Sequence, residues 1–487
     1  MFAVEVDKLS YQYEENDTLV LNGVNLKIRK GECVLLTGES GCGKTTLTRC
    51  INGLIPHFYE GKLEGTVRVN GIAATEVPIH QIAEQTGSVF QDPRSQFFTT
   101  NTTDEVAFGC ENLGYPRETI LKRTEQAFCD LSLDTLKNRS IFALSSGEKQ
   151  KIALASAYAL QPDIFVLDEP SANLDNRSTR QLAELLSRLK KEGHTIIISE
   201  HRLHYLAALA DRIIYMKDGS IAKEWEGNDL EGLSDEALRR LGLRTFFLEH
   251  ISCPEHRRPV GEKSALTAEG LCAKWEQKTV VENVGFDLAS GEIVGIVGEN
   301  GAGKTTLVRT LCGLQREYKG KVIYKGMALP PKKRTDHMFF VMQDADYQLF
   351  TNSVESELRF GDKVVSDTML NETLTRFGLL EYKNMHPLAL SGGQKQRLCV
   401  ATAIVNDANV LFFDEPTSGL DGKNMRNLGS VLQELAGKGK TVVLISHDYE
   451  FLADFCTRII YLSGGTIRDD FSLTPNHMAK LARYLSI

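Results

Sequence analysis

Two nine-residue segments of the chain have the residue types needed to hold a polyphosphate. They are Gly38-Glu39-Ser40-Gly41-Cys42-Gly43-Lys44-Thr45-Thr46 and Gly298-Glu299-Asn300-Gly301-Ala302-Gly303-Lys304-Thr305-Thr306. Glycines let the backbone approach phosphate oxygens closely, and a helix beginning at the end of each segment would point unpaired N–H groups at them. Lys44 and Lys304 would reach the outer phosphates, and Thr45 and Thr305 would each offer a hydroxyl group to Mg²⁺. Both segments therefore predict a binding site for a nucleotide polyphosphate.

Downstream of each segment, a run of four apolar residues ends in a pair of carboxylates, Asp168-Glu169 in one case and Asp414-Glu415 in the other. Two acids at the end of a buried strand are costly unless a cation or a water network receives them. We interpret Asp168 and Asp414 as Mg²⁺ ligands, and Glu169 and Glu415 as the groups that orient an attacking water. The alternative is a pair of helix N-caps after a strand, which the phosphate-binding segment upstream disfavours.

The same residue types recur at regular separations along the chain. The matched pairs are Lys44 and Lys304 (260 residues apart), Gln91 and Gln343 (252), and Ser145 and Ser391, Asp168 and Asp414, and His201 and His447 (246). A separation that shrinks in steps indicates two homologous halves that differ by a few loop deletions. We expect a first domain over 1–228, a helix plus linker over 229–265, and a second domain over 266–487.

These residues must be positioned by an α/β fold. Short β-branched runs alternate with helical segments in each half, which predicts a largely parallel sheet. Apolar strands over Cys33–Thr37 and Ile293–Val297 lead into the phosphate-binding segments. Helical insertions are expected over residues 92–144 and 344–390.

The segment between the two halves has two parts. Leu233–Leu243 is predicted to be helical. The residues around Pro254 and Pro259, with basic His256-Arg257-Arg258 between them, are typical of an exposed linker. The segment is short for a third domain.

The composition limits the classes of protein to consider. The 487 residues carry a net charge of −8, without the basic character of a nucleic-acid-binding protein, so no nucleic-acid partner is expected. The ten cysteines form no C-x-x-C pair and suggest neither a zinc site nor a disulfide framework. No apolar run approaches the ~18 residues that a membrane-spanning helix needs. We expect a soluble chain whose membrane role, if it has one, comes from a partner.

A Leu-Ser-x-Gly segment precedes each carboxylate pair and carries the resemblance to a known family. The segments are Leu144-Ser145-Ser146-Gly147-Glu148-Lys149-Gln150-Lys151 and Leu390-Ser391-Gly392-Gly393-Gln394-Lys395-Gln396-Arg397. With these in place, the chain resembles an ATP-binding-cassette (ABC) ATPase over nearly its whole length, in two copies. The resemblance implies two tandem P-loop NTPase (RecA-like) domains of the α/β class, each with an antiparallel β subdomain and an inserted α-helical subdomain. It also implies ATP hydrolysis, with ATP and Mg²⁺ bound.

The family resemblance implies a role for each motif. The two halves would pair head to tail as an intramolecular pseudo-dimer, with each ATP held between one half's phosphate loop and the other half's signature. The signature residues are Ser145, Ser146, Gly147 and Glu148, and Ser391, Gly392, Gly393 and Gln394. His201 and His447 would sense the γ-phosphate, and Gln91 and Gln343 would contact Mg²⁺ and relay to a membrane partner. For the two serines the alternative is a plain helix N-cap.

An aromatic ring near the start of each half is expected to stack on adenine. Tyr13 and Trp275 occupy corresponding positions, and Tyr11 is a competitor to Tyr13. The alternative is that such a ring packs in the core as part of an edge strand.

The two signatures are not equivalent, because Ser146 and Glu148 replace the glycine and glutamine of the family pattern. The Glu148 charge would repel the ATP held by Lys304 by roughly 2 kcal/mol at ~7 Å and an effective dielectric constant near 20. Lys149 and Lys151 could offset part of that repulsion. We predict that the site with Lys304 is the weaker one and that the site with Lys44 dominates turnover.

Cys42 lies inside the first phosphate loop. We predict that a maleimide blocks this site and that Mg-ATP protects it. The alternative is a buried, unreactive thiol.

Several stretches resemble the energy-coupling-factor (ECF) branch of the family, which drives import of vitamins and transition metals. They are Asn52–Gly61, Phe90–Phe98, Glu105–Gly109, Asn112–Gly114, Ser199–Leu203 and Gln343–Phe350. In that branch the segment after the glutamine forms a groove for a coupling helix of a transmembrane protein, which apolar Phe97, Phe98, Leu349 and Phe350 would suit. The alternative is that these four residues belong to the core of the helical subdomain.

The ECF resemblance implies particular partners and a location. The partners would be a T-type integral membrane scaffold and S-type substrate-binding subunits, and the chain would be peripheral on the cytoplasmic face of the cell membrane. Two other functions stay open: the tandem ATPase of a sugar-type importer, and a soluble tandem-cassette factor that binds ribosomes. The ribosomal factor would need a long basic helical linker, which residues 229–266 do not provide.

Overall fold

The computed structural model describes residues 1–14, 18–254, 264–275, 278–361 and 365–487. These residues form two compact units, one of Met1–Leu248 with Asp421–Lys423 and the other of Glu249–Leu420 with Asn424–Ile487. His256-Arg257-Arg258 and Pro259 of the predicted linker lie outside the described residues.

The first half alternates strands and helices in the predicted α/β manner. Its strands are β1 (Phe2–Tyr13), β2 (Leu21–Arg29), β3 (Cys33–Gly38), β4 (Gly61–Val69), β5 (Ile72–Ala73), β6 (Thr86–Val89), β7 (Ile164–Asp168), β8 (Thr195–Ser199), β9 (Arg212–Lys217) and β10 (Ser220–Glu226). Its helices are α1 (Lys44–Ile51), α2 (Leu54–His57), α3 (Ile79–Ala83), α4 (Thr102–Asn112), α5 (Arg117–Asp130), α6 (Ser146–Ala159), α7 (Asn176–Lys191) and α8 (Asp235–Arg240).

The second half follows the same order, except that in the described residues it has no helix matching α2 and has an additional helix between β18 and β19. Its strands are β11 (Ser264–Trp275), β12 (Lys278–Ala289), β13 (Ile293–Val297), β14 (Lys319–Tyr324), β15 (Met327–Ala328), β16 (Met338–Val341), β17 (Val410–Asp414), β18 (Thr441–Ile445), β19 (Arg458–Ser463) and β20 (Thr466–Ser472). Its helices are α9 (Lys304–Cys312), α10 (Pro331–Arg334), α11 (Val354–Leu358), α12 (Asp367–Arg376), α13 (Gly392–Asn406), α14 (Gly422–Gly437), α15 (Tyr449–Phe455) and α16 (Met478–Tyr484).

Each half contains one small antiparallel sheet and one larger, mainly parallel sheet. The small sheets have the strand orders β2-β1-β4-β5 and β12-β11-β14-β15. The large sheets have the orders β10-β9-β3-β8-β7-β6 and β16-β17-β18-β13-β19-β20, in which only β10 and β20 run antiparallel to their neighbours. The predicted fold class is confirmed. Because the parallel strands end at the same edge, the residues that follow β3, β8, β7 and β6 are brought together there.

The central strand β3 shows why the large sheet is buried on both faces. Its successive side chains point to opposite faces. Cys33 and Leu35 pack with α6, which carries the first signature, and with α7, whereas Val34 and Leu36 pack with the small sheet and α1. A strand covered on both faces is continuously apolar, which is the pattern that its sequence shows.

The helical insertions occur where the sequence predicts them, as α4 and α5 in the first half and as α11 and α12 in the second. The predicted helix over Leu233–Leu243 is shorter, because Ser234 caps α8 through a bond from the Ala237 amide. Gly242, with φ of 73°, follows its last turn. No helix in the described ranges is both long enough and apolar enough to cross a membrane.

Candidate functional site

Each phosphate loop joins a buried strand to a helix, β3 to α1 and β13 to α9. Its glycines have backbone conformations that other residues rarely adopt, with φ of 81° and 101° at Gly41 and Gly43. A Cβ atom on Gly43 would lie 2.8 Å from the Val20 carbonyl oxygen, and one on Gly303 would lie 2.8 Å from that of Val280. Only glycine therefore allows the chain to form these concave loops.

The loop lysines are buried and rest on the carbonyl groups of their own loops. Lys44 Nζ donates to the Gly38 and Glu39 carbonyl oxygens at 3.1 Å each. Lys304 Nζ donates to the corresponding carbonyl oxygens, including that of Gly298 at 2.7 Å. Neutral carbonyls are modest partners for a buried ammonium group, so a polyphosphate in the loop would give each lysine a stronger one.

A hydroxyl group and a carboxylate meet beside each loop. Thr45 Oγ1 donates to Asp168 Oδ1 at 3.1 Å, and Thr305 Oγ1 donates to Asp414 Oδ2 at 2.8 Å. Burial, aided by the charge of Glu169, raises the pKa of Asp168 to about 6, and burial likewise raises the pKa of Asp414. A carboxylate penalised in this way is stabilised by a cation, and oxygen donors next to phosphates are the set that Mg²⁺ prefers. The residues present therefore fit a magnesium ion.

The glutamates after these acids have unusual backbone conformations, with φ of 44° at Glu169 and 49° at Glu415. Their amides donate to carbonyl oxygens of the adjacent strand, Glu169 to Ser199 at 2.8 Å and Glu415 to Ile445 at 2.9 Å. Both occupy the left-handed region, which costs non-glycine residues energy and is common at functional sites. The fixed backbone directs both side chains toward the histidine that follows the neighbouring strand.

The two histidines lie next to these glutamates. His201 Nε2 is 3.3 Å from Glu169 Oε1, and His447 Nε2 is 3.5 Å from Glu415 Oε1. Burial alone would raise the pKa of Glu169, but the charge and hydrogen bond of His201 outweigh it and lower that pKa. Glu169 therefore stays ionised at neutral pH and can accept a hydrogen bond from water.

The two glutamines are placed differently. Gln91 Nε2 donates to Glu169 Oε2 at 2.7 Å, which brings it into the first site. The Gln343 side chain is exposed and makes no hydrogen bond to other residues in the described ranges. In the second site Lys304 Nζ lies instead 3.2 Å from His447 Nε2.

The signature serines are the N-caps of α6 and α13. Each accepts a bond from the amide three residues later, and each helix has a complete capping box, with Glu148 or Gln394 as the returning partner. In the first half the Ser145 hydroxyl also donates to Glu148 Oε2 at 2.8 Å. Both serines are therefore helix N-caps, and their contact with a γ-phosphate stays a prediction.

Arg139 balances the charge of Glu148, a partnership that the sequence analysis missed. Its Nη1 donates to Glu148 Oε1 at 2.7 Å. Burial would raise the pKa of Glu148, but the bonds from Ser145 and Arg139 lower it. Lys151 donates to Gln181 instead. At the position that matches Arg139 the second half has Met385, opposite the neutral Gln394.

Burial distinguishes the aromatic residues that were candidates for stacking on adenine. The Tyr11 ring is fully buried, and its hydroxyl donates to the carbonyl oxygens of Tyr59 and Glu60, so Tyr11 cannot stack on a nucleotide and is excluded as the competitor. Tyr13 is half-buried, and its hydroxyl shares a 3.2 Å hydrogen bond with Thr46 at the start of α1. Trp275 is 51% exposed, beside Arg309 of α9.

Cys42 is only 6% exposed, with its Sγ 3.7 Å from Lys44 Nζ. Burial raises the pKa of its thiol, although Lys44 acts in the opposite direction. The thiolate is the reactive form. The structure therefore argues against rapid blocking by maleimide and favours the alternative of an unreactive thiol.

Two further pairs of residues were missed although the repeat contains them. Arg49 and Arg309 lie 260 residues apart, on the helices that follow the phosphate loops. Glu105 and Glu357 lie 252 apart and are buried in the helical insertions. Comparing the two halves position by position would have found both pairs.

Comparisons with known proteins agree with this geometry. The family model described as ABC transporter matches residues 21–172 and 281–418. A Treponema denticola protein provisionally named ABC transporter ATP-binding protein is 46% identical over 470 residues, covering 95% of this chain and 96% of its own. A Bacillus subtilis protein provisionally named HMP/thiamine import ATP-binding protein is 34% identical, covering 94% and 89%.

A solved structure shows the same fold at lower identity. A model of ribosome-bound archaeal Pelota and ABCE1 aligns with a TM-score of 0.69 at 21% identity, over 98% of this chain and 80% of that one. This likeness concerns the fold alone. The matched family model spans more than half of the chain and includes both phosphate loops and both carboxylate pairs. We conclude that the chain belongs to the ABC transporter family and is an ATPase with two ATP-binding cassettes.

Proposed function

We propose that this chain supplies both ATPase cassettes of an ECF-type importer of a vitamin or metal micronutrient. The observation that carries the proposal is a pair of aromatic rings after the glutamine of each half, which we call the aromatic surface. The pairs are Phe98 with Phe108 and Phe350 with Phe360. The name of the Bacillus subtilis relative, an HMP/thiamine import protein, also supports import of a vitamin.

The aromatic surface presents large apolar side chains to solvent. Phe98 is 74% exposed, and Phe350 and Phe360 are each 63% exposed. The rings contact each other with centroids 4.9 Å apart in the first half and 4.7 Å apart in the second. Exposed apolar surface of this kind is costly in water and is typical of a protein–protein contact.

The neighbouring predicted residues have a different role. Phe97 packs against the core of its unit, and Leu349 is only 4% exposed. The exposure of Phe98 and Phe350 supports the groove interpretation for these two residues, whereas Phe97 and Leu349 belong to the core.

A cavity of about 380 Å³ adjoins the second aromatic pair, and Met338, Phe340 and Val405 line it together with Phe350 and Phe360. Apolar side chains of an amphipathic helix would fit this opening. We infer that the occupant is a coupling helix of an integral membrane scaffold (T-type), which would hold the chain peripherally at the cytoplasmic face. Substrate would be bound by separate S-type membrane subunits.

The chemistry proposed at each site follows from the contacts described above. The loop N–H groups with Lys44 or Lys304 bind the phosphates and stabilise charge on the γ-phosphoryl group. Glu169 or Glu415 accepts a hydrogen bond from the attacking water and orients it, and His201 or His447 contacts the γ-phosphate. Thr45, Asp168 and Gln91, with Thr305, Asp414 and Gln343 in the second half, would hold Mg²⁺. That ion would neutralise phosphate charge when bound.

The remaining predicted ligands surround the same phosphates. Tyr13 and Trp275 would stack on adenine, and the signature residues beginning at Ser145 and Ser391 would contact the γ-phosphate. Their pairing across the two halves stays a prediction drawn from the family.

The test is co-purification from detergent-solubilised membranes of the source cell. We expect the tagged chain to retain small integral membrane proteins, and Phe98→Asp together with Phe350→Asp to abolish that retention while leaving basal ATPase activity unchanged. Leu121→Asp, at an exposed apolar position outside the aromatic surface, is the matched control and should retain them. Retention by the double variant would contradict the proposal, and sedimentation with ribosomes instead would favour the soluble factor.

A further inference from the structure

The first phosphate loop is adjoined by a cluster of three side chains that the mechanism above does not use fully. Arg49 Nη1 donates to the Tyr13 hydroxyl oxygen at 3.0 Å. The Arg49 guanidinium carbon lies 4.2 Å from the centroid of the Tyr59 ring. Tyr13 and Tyr59 meet edge to face with centroids 6.2 Å apart. A guanidinium group stacked on one ring and bonded to another is held in a defined position.

The cluster is connected directly to the phosphate loop. The Tyr13 oxygen bonded by Arg49 also shares a hydrogen bond with Thr46 Oγ1, and Thr46 is the last residue of the loop segment. Arg49 itself lies on α1, which begins at Lys44. The two polar contacts at this oxygen fix the long axis of the Tyr13 ring relative to the loop, and the edge-to-face contacts with Tyr11 and Tyr59 restrict rotation of the ring about that axis.

The second loop has the matching residues without the same fixation. Arg309 corresponds to Arg49, but Trp275 has no phenol oxygen to accept its bond. The Arg309 guanidinium carbon is 5.9 Å from the centroid of the Trp275 ring, and Trp275 is 51% exposed. Nine residues separate α1 from β4 in the first half and six separate α9 from β14 in the second, and Tyr59 lies in the longer stretch.

We propose that Arg49 is a positioning residue that orients the Tyr13 ring for stacking on the nucleotide base at the first phosphate loop, with Tyr59 holding the guanidinium group. The inference rests on the proposed nucleotide site, in which Tyr13 contacts adenine. A ring ordered before binding loses less conformational freedom when the base docks, so the first loop gains affinity for the base. The second loop lacks this gain.

The test separates base recognition from phosphate recognition in the full chain. With Lys304→Ala present to silence the second loop, we expect Arg49→Met to weaken ATP binding about five- to twentyfold while tripolyphosphate binding changes less than twofold. Tyr13→Phe keeps the ring and removes the oxygen, so it should weaken ATP similarly, and the double variant should be no weaker than either single one. With Lys44→Ala present, the matched variant Arg309→Met should change ATP binding less than twofold.

The outcomes distinguish this inference from the proposed function. If the unaltered chain bound no ATP, the nucleotide site itself would be wrong. If it bound ATP and Arg49→Met bound ATP equally well, only the positioning role would be overturned. Equal losses for ATP and tripolyphosphate would also overturn it, because they would indicate a general distortion of the loop. Additive effects of Arg49→Met and Tyr13→Phe would show that the two residues act independently.

Discussion

One residue difference separates the two signature helices most clearly. Glu148 carries a charge where Gln394 has none, but Arg139 forms an ion pair with it at 2.7 Å. The repulsion expected from the sequence is therefore reduced by a partner within the same unit. Glu148 still accepts a hydrogen bond from the Ser145 hydroxyl group. That hydroxyl group cannot donate to a phosphate oxygen unless the serine side chain rotates.

Replacing Arg139 with the residue found in the other half would expose this charge. With Glu169→Gln present to silence the dominant site, we expect Arg139→Met to lower the residual ATPase activity roughly fivefold, the equivalent of about 1 kcal/mol, because an unpaired carboxylate repels the γ-phosphate. In the same background, adding Glu148→Gln to Arg139→Met reproduces the Met385 and Gln394 pair and should restore the rate of Glu169→Gln alone. Steady-state kinetics would measure both, with thermal unfolding as the control for folding. A double variant as slow as Arg139→Met would contradict the explanation.

The two proposed water-orienting glutamates test the inequality of the sites directly. The signature that contains Gln394 matches the family pattern in full, and the resemblance places it opposite the site of Glu169. We therefore expect the site of Glu169 to carry most of the turnover. Glu169→Gln should then leave at least tenfold less ATPase activity than Glu415→Gln. Equal residual rates in the two variants would show that the sites are equivalent.

Cys42 allows a test of burial that depends on pH. Its pKa is raised, so the thiol is neutral at pH 7 and its thiolate fraction increases about tenfold for each pH unit below that pKa. We expect maleimide to label Cys129, the exposed cysteine among the ten, well before Cys42, and labelling of Cys42 to accelerate as pH rises from 7 to 9. Mass spectrometry of the Cys129→Ser variant would isolate the slow reaction. Stoichiometric labelling of Cys42 within seconds at pH 7 would show that the loop opens readily.

At the scale of elements, a buried glutamate holds the loop of each aromatic pair in place. Glu105 Oε2 accepts bonds from the Phe98 and Thr99 amides at 3.0 and 2.8 Å. Glu357 does the same for Phe350 and Thr351 at 3.2 and 3.0 Å. Each glutamate belongs to the first helix of the insertion, α4 or α11, so the helix fixes the strand-to-helix loop that carries the exposed ring.

Removing that acceptor should loosen the loop locally. We expect Glu357→Ala to leave its buried donors unsatisfied and to increase amide hydrogen exchange at Phe350 and Thr351 by about tenfold or more. Glu357→Gln keeps an acceptor oxygen and should have a smaller effect. Peptides containing Phe98 and Thr99, held by the unaltered Glu105, are the internal control. Unchanged exchange in the Glu357→Ala variant would mean that other contacts hold the loop.

At the scale of the whole molecule, the chain is a tandem repeat in which each half has a complete loop, carboxylate pair and histidine. The family resemblance predicts that each nucleotide also needs a signature from the other half. Completeness within a half therefore does not predict independent activity.

Separating the halves tests this requirement. We expect residues 1–248 and 249–487, expressed apart and kept dilute, each to hydrolyse ATP at least tenfold more slowly than the intact chain, because the signature serine of the other half is not available to the γ-phosphate. Mixing the two at high concentration should restore part of the rate. Circular dichroism would confirm that each half is folded. A monomeric half as fast as the intact chain would contradict the shared-site mechanism.

The sequence determined those features that depend on neighbours along the chain. The strand–loop–helix context of the phosphate loops, the apolar strands that precede them and the acids at the ends of β7 and β17 agree with the prediction, because local spacing and strand periodicity define them. Repetition made these predictions specific, since two copies in the same order fixed the fold class. Helix ends were less certain: α8 is shorter than predicted because a serine cap and a glycine define its limits.

The tertiary structure decided what depends on residues distant in sequence. Tyr11 and Tyr13 are two positions apart on one strand, yet only the fold shows that one is buried and that the other reaches Thr46 and Arg49. Likewise it distinguished Phe97 from Phe98 and paired Arg139 with Glu148. Burial and pairing are set by which surfaces of other elements cover a side chain, and that information is not contained in the spacing of residues along a single segment.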